Sequence, residues 1–227
     1  MKMSIITEAN TIILWSLSIL ELILALYIYF RYQKTQSIYA LCAMLFGFSL
    51  MSFFVGLLMT SNTEMSKLII ARAAFYSGTA SFVSLLALAM YYPLPTNMDP
   101  LVRRLVIFGS IFIVLPAIIL QPSFINDVNV NEGFIDIKPG NAFWALFIVS
   151  LIYLLLSLYL LIKKINIVSV QLKKQVTAVT IIIGISGLVG VVMDRIFPLF
   201  DLSINMAYSP LFAGVVAVMI AVIVLKK

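Results

Sequence analysis

Residues 66–92 read SKLIIARAAFYSGTASFVSLLALAMYY. The stretch is long enough for a helix that crosses a lipid bilayer, which takes about 20 mainly apolar residues. Small side chains recur along it at steps of three and four residues, and these steps keep them on common faces of a helix. We therefore predict a transmembrane helix here, around which the rest of the chain is organised.

Two seams of small residues run along this predicted helix. The first seam contains Ala73, Ser77, Ala80, Ser84 and Ala87. The second seam contains Ala71, Ala74, Gly78 and Ser81. In a membrane, small residues mark the places where helix backbones approach closely, because lipid offers little hydrophobic drive for helix association. The two seams therefore predict neighbouring helices on both sides.

The composition identifies the broad class of protein. Hydrophobic residues occupy 63% of the 227 positions and charged residues 11%, with a mean hydropathy of +1.14. These values exclude an ordinary soluble domain. The chain has no histidine, which excludes histidine-based catalysis and histidine metal ligands. It also shows no glycine-rich phosphate loop and no metal-ligand motif, so we expect neither an enzyme nor a cofactor.

The hydropathy pattern predicts an all-α membrane protein, a single domain of seven transmembrane helices over residues 1–227. The predicted spans are residues 11–30, 37–60, 66–92, 103–120, 142–162, 176–196 and 205–225. Residues 121–141 form the long connection between the fourth and fifth spans. There FINDVNV and FIDIK alternate apolar and polar residues around NEG. Such alternation on both sides of a turn predicts a short β-hairpin.

Charges in the connections predict how the helices are oriented. Ten of the 15 lysine and arginine residues lie at one end of the predicted bundle: Arg31, Lys34, Arg103, Arg104, Lys163, Lys164, Lys173, Lys174, Lys226 and Lys227. Of the nine acids, only Asp99 lies there. By the positive-inside rule this end is cytoplasmic. We therefore expect a multi-pass protein of the cell membrane, with the amino terminus and the hairpin outside and the carboxyl terminus in the cytoplasm.

Ionisable residues within the spans supply the first candidate site. Arg72 lies about one and a half helical turns below the predicted outer surface, and Tyr76 lies one turn deeper. Asp194 lies at a comparable depth in the sixth span, so we predict an ion pair between Arg72 and Asp194. Two interpretations stay open. The pair borders a ligand cavity, or it only ties two helices together.

Glu21 lies near the middle of the first span. A carboxyl group at that depth costs a few kcal/mol, so we expect it to face the bundle in its neutral form. It is either a ligand contact or proton-sensitive switch, or a carboxyl group hydrogen-bonded to another helix. Tyr208 lies at the outer end of the seventh span. The candidate ligand-binding residues are therefore Arg72, Asp194, Tyr76, Glu21 and Tyr208, and we predict no catalytic or metal-binding residue.

Four segments of the chain follow one another in a characteristic order. They are ARAAFYSGTASFVSLLALAMYYP (71–93), PGNAFW (139–144), QVTAVTIIIGISGLVGVVMDRIFP (175–198) and DLSINMAYSPLFAG (201–214). Together they resemble the seven-helix amino-terminal sensor region of bacterial and archaeal histidine kinases and diguanylate cyclases. The resemblance covers most of the chain. It implies a receptor that signals, in a two-component system, to a cytoplasmic signalling domain or to a separate partner protein.

Two classes of function stay open. As a receptor, the protein binds a small anionic ligand in an outward-facing cavity around Arg72, and the ligand favours one arrangement of the helices. The alternative is a small-molecule transporter or a structural subunit of a membrane complex, although the first three and last three spans show no internal similarity. We expect the lipid bilayer as a partner, keep a homodimer as an open alternative, and expect no nucleic acid.

Overall fold

The computed structural model describes residues 5–131, 134–191 and 208–225. These residues form the helices α1 (Ile5–Arg31), α2 (Gln36–Thr60), α3 (Glu64–Tyr91), α4 (Pro100–Ile119), α5 (Asn141–Ile165), α6 (Val170–Val191) and α7 (Tyr208–Leu225). By length and composition, α1 to α6 can each cross a membrane, and the described part of α7 contains a shorter apolar segment. A mainly helical membrane protein is therefore confirmed, while seven spans and their orientation stay predictions.

Side-chain caps set where the central helices begin. The hydroxyl of Thr35 accepts a hydrogen bond from the N–H of Ile38 at the start of α2, and Thr63 does the same for Ser66 at the start of α3. Asp99 caps α4 in the same way. Such caps satisfy N–H groups that have no partner within the helix. The connections that these caps end are short, and α1 packs against α2, which packs against α3.

Helix α3 is the centre of the bundle, as predicted. In the apolar segment of α3, 78% of the residues are buried, compared with 50% or less in the corresponding segments of the other five helices that can span a membrane. It packs against α2, α4 and α5. Helix α2 approaches α3 closely at Gly47, where a Cβ atom would collide with the hydroxyl of Ser81. Glycine at this position lets the two backbones come together.

The two small-residue seams of α3 have different surroundings. The second seam faces the interior of the bundle, with α2, α6 and α7 around it. Most of the first seam, from Ala73 to Ser84, instead forms the floor of a groove between α2 and α4. Helices α2 and α4 flank the seam, and Ser77 and Ser84 within it are buried. The prediction of neighbouring helices on both sides of α3 is therefore confirmed.

The long connection contains the predicted hairpin. Strand β1 (Ile125–Asn131) pairs antiparallel with strand β2 (Phe134–Pro139). Val128, Ile135 and Ile137 are buried, while the polar side chains that alternate with them lie on the other face. Alternation therefore places one face of the hairpin on the bundle.

An aromatic cluster fastens the base of the hairpin to the helices. Phe124 packs against Phe75 of α3 and Phe143 of α5, with ring centroids 5.8 and 5.6 Å away. The rings of Phe75 and Phe143 also meet edge to face at 5.2 Å. Such pairs stabilise beyond the area that they bury. The cluster thus keeps the hairpin over the end of the bundle where α3 begins.

Candidate functional site

The groove between α2 and α4 has a volume of about 690 Å³. Small-molecule sites in proteins typically have volumes of about 300–1,000 Å³. A second cavity, under the hairpin and lined by the second seam, measures only about 90 Å³. The groove is therefore the better candidate for a ligand site among the described residues.

The lining of the groove is mainly apolar. Phe46 and Leu50 of α2 and Ile119 of α4 form parts of its walls. The hydroxyls of two serines in the floor, Ser77 and Ser84, donate to carbonyls of their own helix at 2.8 and 3.0 Å. Because these donors are already used, the floor presents little polar chemistry to a ligand.

Arg72 lies at the hairpin end of the groove. Its Nη2 donates a long hydrogen bond of 3.4 Å to the carbonyl of Pro122, and its Nε is buried without a hydrogen-bond partner. In the described part of the chain, no carboxylate lies within ion-pair distance of the guanidinium. A partly buried cation with unfilled donors favours an anion close by, because charge-assisted hydrogen bonds are strong.

Tyr76 connects the groove to α4. Its hydroxyl donates to the carbonyl of Ile111 at 3.0 Å, and Ile111 belongs to a π-helical turn, Ser110–Val114. In this turn the N–H of Leu115 bonds five residues back instead of four, so Ile111 loses its α-helical donor. The next residue is Pro116, which has no N–H to offer. The Tyr76 hydroxyl therefore satisfies a carbonyl that the backbone leaves free.

Two predicted site residues, Asp194 and Tyr208, have side chains outside the described part of the structure. Asp194 lies outside the described residues, so its ion pair with Arg72 stays a prediction. Tyr208 begins the described part of α7, but its side chain is not among the described ones. The structure thus brings together Arg72 and Tyr76 out of the five predicted residues.

Glu21 is fully buried away from the groove, where α1, α2 and α7 meet. The hydroxyl of Ser52 donates to its Oε2 at 3.3 Å, and its Oε1 has no hydrogen-bond partner. A Cβ atom on Gly214 of α7 would lie 2.5 Å from this Oε1. The prediction that Glu21 faces the bundle is confirmed. Its surroundings are those of a packed helix junction.

A second polar cluster, not singled out by sequence, lies at the other end of α3. Lys164 is only 6% exposed, and its Nζ donates to the carbonyls of Ala89, Met90 and Tyr92 at 2.6, 3.2 and 2.9 Å. Counting Lys164 among the loop charges was therefore wrong. It belongs to the last turn of α5 and caps the carboxyl end of α3.

A sequence signal for this burial existed. The polar stripe of α5, Ser150, Tyr153 and Ser157, has steps of three and four residues, and Lys164 follows Ser157 after seven residues, or about two helical turns. All four side chains are buried. Helical spacing places them on one face, so Lys164 follows the stripe that faces the bundle.

No protein-family model and no curated protein matches this chain. The resemblance to the sensor region of histidine kinases therefore stays a prediction.

Proposed function

We propose that the protein is a receptor of the cell membrane that binds a small amphiphilic anion in the groove between α2 and α4. The observation that carries this proposal is Arg72, a cation at one end of an otherwise apolar groove, with no anionic partner among the described residues. Under the seven-span topology with the amino terminus outside, Arg72 lies near the outer surface.

The shape of the groove indicates the class of ligand. From Arg72 to Ser84 the groove follows α3 for 12 residues, which is about 18 Å along a helix. An alkyl chain lies along the apolar floor, and an acidic head group meets the guanidinium. A fully polar anion would leave its polar groups unpaired along this floor, at a cost in free energy.

Tyr76 provides a route from the ligand to the rest of the bundle. A ligand that draws its hydroxyl away from Ile111 removes the donor that supports the π-helical turn. Helix α4 then favours regular α-helical bonding, and the segment Pro100–Gly109 rotates by about 100°, the angle of one residue. The ligand shifts this equilibrium only by its difference in affinity for the two arrangements. This rotation of α4 is transmitted to a cytoplasmic domain or partner protein.

Binding is tested with decyl sulfonate, a permanently charged anion, and with decanol as a neutral compound of equal chain length. The protein is reconstituted in nanodiscs, and a photoreactive decyl sulfonate is crosslinked and mapped by mass spectrometry. We expect crosslinks to Ala80 and Ser84 that excess decyl sulfonate removes and excess decanol does not. Arg72→Gln should abolish them, whereas Lys67→Gln on the same helix should not. Equal competition by decanol would refute the anion site.

Signalling is tested separately, by the distance between spin labels at Arg104 and Ser37 in a Cys42→Ala background. Decyl sulfonate should change this distance in the parent protein but not in Tyr76→Phe. If the distance does not change although crosslinking persists, the proposed signalling is refuted and the proposed binding site is not. Protein-dependent uptake of decyl sulfonate into liposomes would favour the transporter instead.

A further inference from the structure

Arg103 in the first turns of α4 is a second cation without a counter-ion in the described part of the chain. Its guanidinium lies 5.0 Å from the centroid of the Tyr91 ring, and its Nε and Nη1 are buried without hydrogen-bond partners. The nearby acid Asp99 uses its carboxylate to cap α4. Because this partly buried guanidinium has no carboxylate partner among the described residues, the position favours an anion from outside the chain.

Lys164 places a second positive charge at the same end of the bundle. Its three ammonium protons all bond to carbonyls at the end of α3, so it contributes charge and no free donor. Arg103 packs on the ring of Tyr91, and Lys164 bonds to the carbonyls of the residues on either side of it. Two cations thus lie close to the carboxyl end of α3.

We infer that Arg103, with Lys164 adding positive charge close by, binds the phosphate group of an anionic phospholipid. Basic pockets between transmembrane helices are a recognised way of binding such head groups. Tyr91 and the bundle cover two guanidinium nitrogens, which leaves Nη2 to meet the phosphate. Leu101 and Leu105, in the same turns of α4 as Arg103, are 65% and 62% exposed, and they offer an apolar surface to surrounding lipid.

The Arg103 site is separate from the groove, because Arg72 and Arg103 lie at opposite ends of the bundle. It also differs from a general attraction of basic loops to lipid. Arg104 is the next residue, carries the same charge and is exposed, so a diffuse attraction would depend equally on both arginines. A specific phosphate site at Arg103 depends on Arg103 and not on Arg104.

The test measures thermal stability of the purified protein in detergent against added phosphatidylglycerol, phosphatidylcholine or inorganic phosphate. We expect phosphatidylglycerol to raise the melting temperature of the parent and of Arg104→Gln. In Arg103→Gln the apparent affinity should fall about tenfold or more, as for loss of a charge-assisted hydrogen bond. Equal responses of the two variants would overturn the site. Stabilisation by inorganic phosphate alone would overturn the lipid as the source of the anion.

A second measurement does not depend on the folding of Arg103→Gln. Native mass spectrometry of the parent protein, delipidated in an equal mixture of the two lipids, should show phosphatidylglycerol retained in preference to phosphatidylcholine. Arg104→Gln should retain it equally. Loss of the preference in Arg104→Gln, or no preference in the parent, would contradict the inference.

Discussion

The hydroxyl of Tyr76 on α3 donates a hydrogen bond of 3.0 Å to the carbonyl of Ile111 on α4. A π-helical turn and the proline after it deprive this carbonyl of a backbone donor. π-Helical turns are uncommon and often lie at functional sites. Tyr76 also lines the groove that ends at Arg72. One bond therefore joins the candidate ligand site to the irregular part of a neighbouring helix.

Tyr76→Phe should destabilise the protein by about 1–3 kcal/mol, because it leaves a buried acceptor without a partner. The measurement is the free energy of unfolding in mixed micelles. Tyr159→Phe is the control, since Tyr159 is 59% exposed on α5 and its change should stay within about 0.5 kcal/mol. Equal losses would show that the Ile111 carbonyl does not need the hydroxyl.

A double-mutant cycle with Pro116→Ala sharpens this prediction. Alanine restores an N–H near the Ile111 carbonyl, so Tyr76→Phe should be milder in that background. We expect a coupling of about 0.5–3 kcal/mol between the two substitutions. Simple additivity would contradict the pairing between the proline and the tyrosine.

Gly214→Ala should destabilise the junction of α1, α2 and α7. Its Cβ would lie 2.5 Å from Oε1 of Glu21, and overpacking of this kind costs about 1–3 kcal/mol. Gly109→Ala is the matched control, because a Cβ there meets nothing within 4 Å and alanine favours the helix. A similar loss of stability at both positions would mean that helix packing at Glu21 is looser than described.

Glu21→Gln should change the free energy of unfolding by less than about 1 kcal/mol. Glutamine keeps the shape of the side chain and an oxygen that accepts from Ser52. Glu21→Ala should cost more, because it leaves a cavity and an unpaired hydroxyl. If the glutamine variant unfolds as readily as the alanine variant, the amide does not replace the carboxyl group, and the prediction is wrong.

Lys164→Met should cost about 3 kcal/mol, because it removes the donors from three carbonyls at the end of α3. The adjacent Lys163 is exposed, so Lys163→Met is a control of equal chemistry. Unfolding of both variants in the same detergent supplies the comparison. Equal stability of the two would contradict the capping role of Lys164.

Cysteines at Asp136 and Val170, in a Cys42→Ser background, test the orientation. Asp136 lies on the hairpin, and Val170 is 79% exposed at the start of α6. An impermeant maleimide should label Asp136→Cys from outside intact cells and Val170→Cys only after lysis, as the positive-inside rule predicts. Labelling of both from the same side would refute the topology.

Local patterns in the sequence determined the elements of this protein. Apolar runs predicted the helices, small residues at helical spacing marked α3 as central, and alternation on either side of NEG predicted the paired strands. Each pattern reports which face of a short segment avoids solvent or meets a neighbour. That preference depends on about ten to twenty neighbouring residues, so it can be predicted without knowing how the helices pack.

Only the tertiary structure decided which helices meet. The first seam of α3 lines a groove, Tyr76 pairs with a carbonyl 35 residues away, and Lys164 bonds to carbonyls more than 70 residues away. The spacing of small or polar residues is the same whether a face meets a helix, a groove or a backbone carbonyl. The partner depends on the packing of the whole bundle, in which many weak contacts and each buried polar group must be satisfied together.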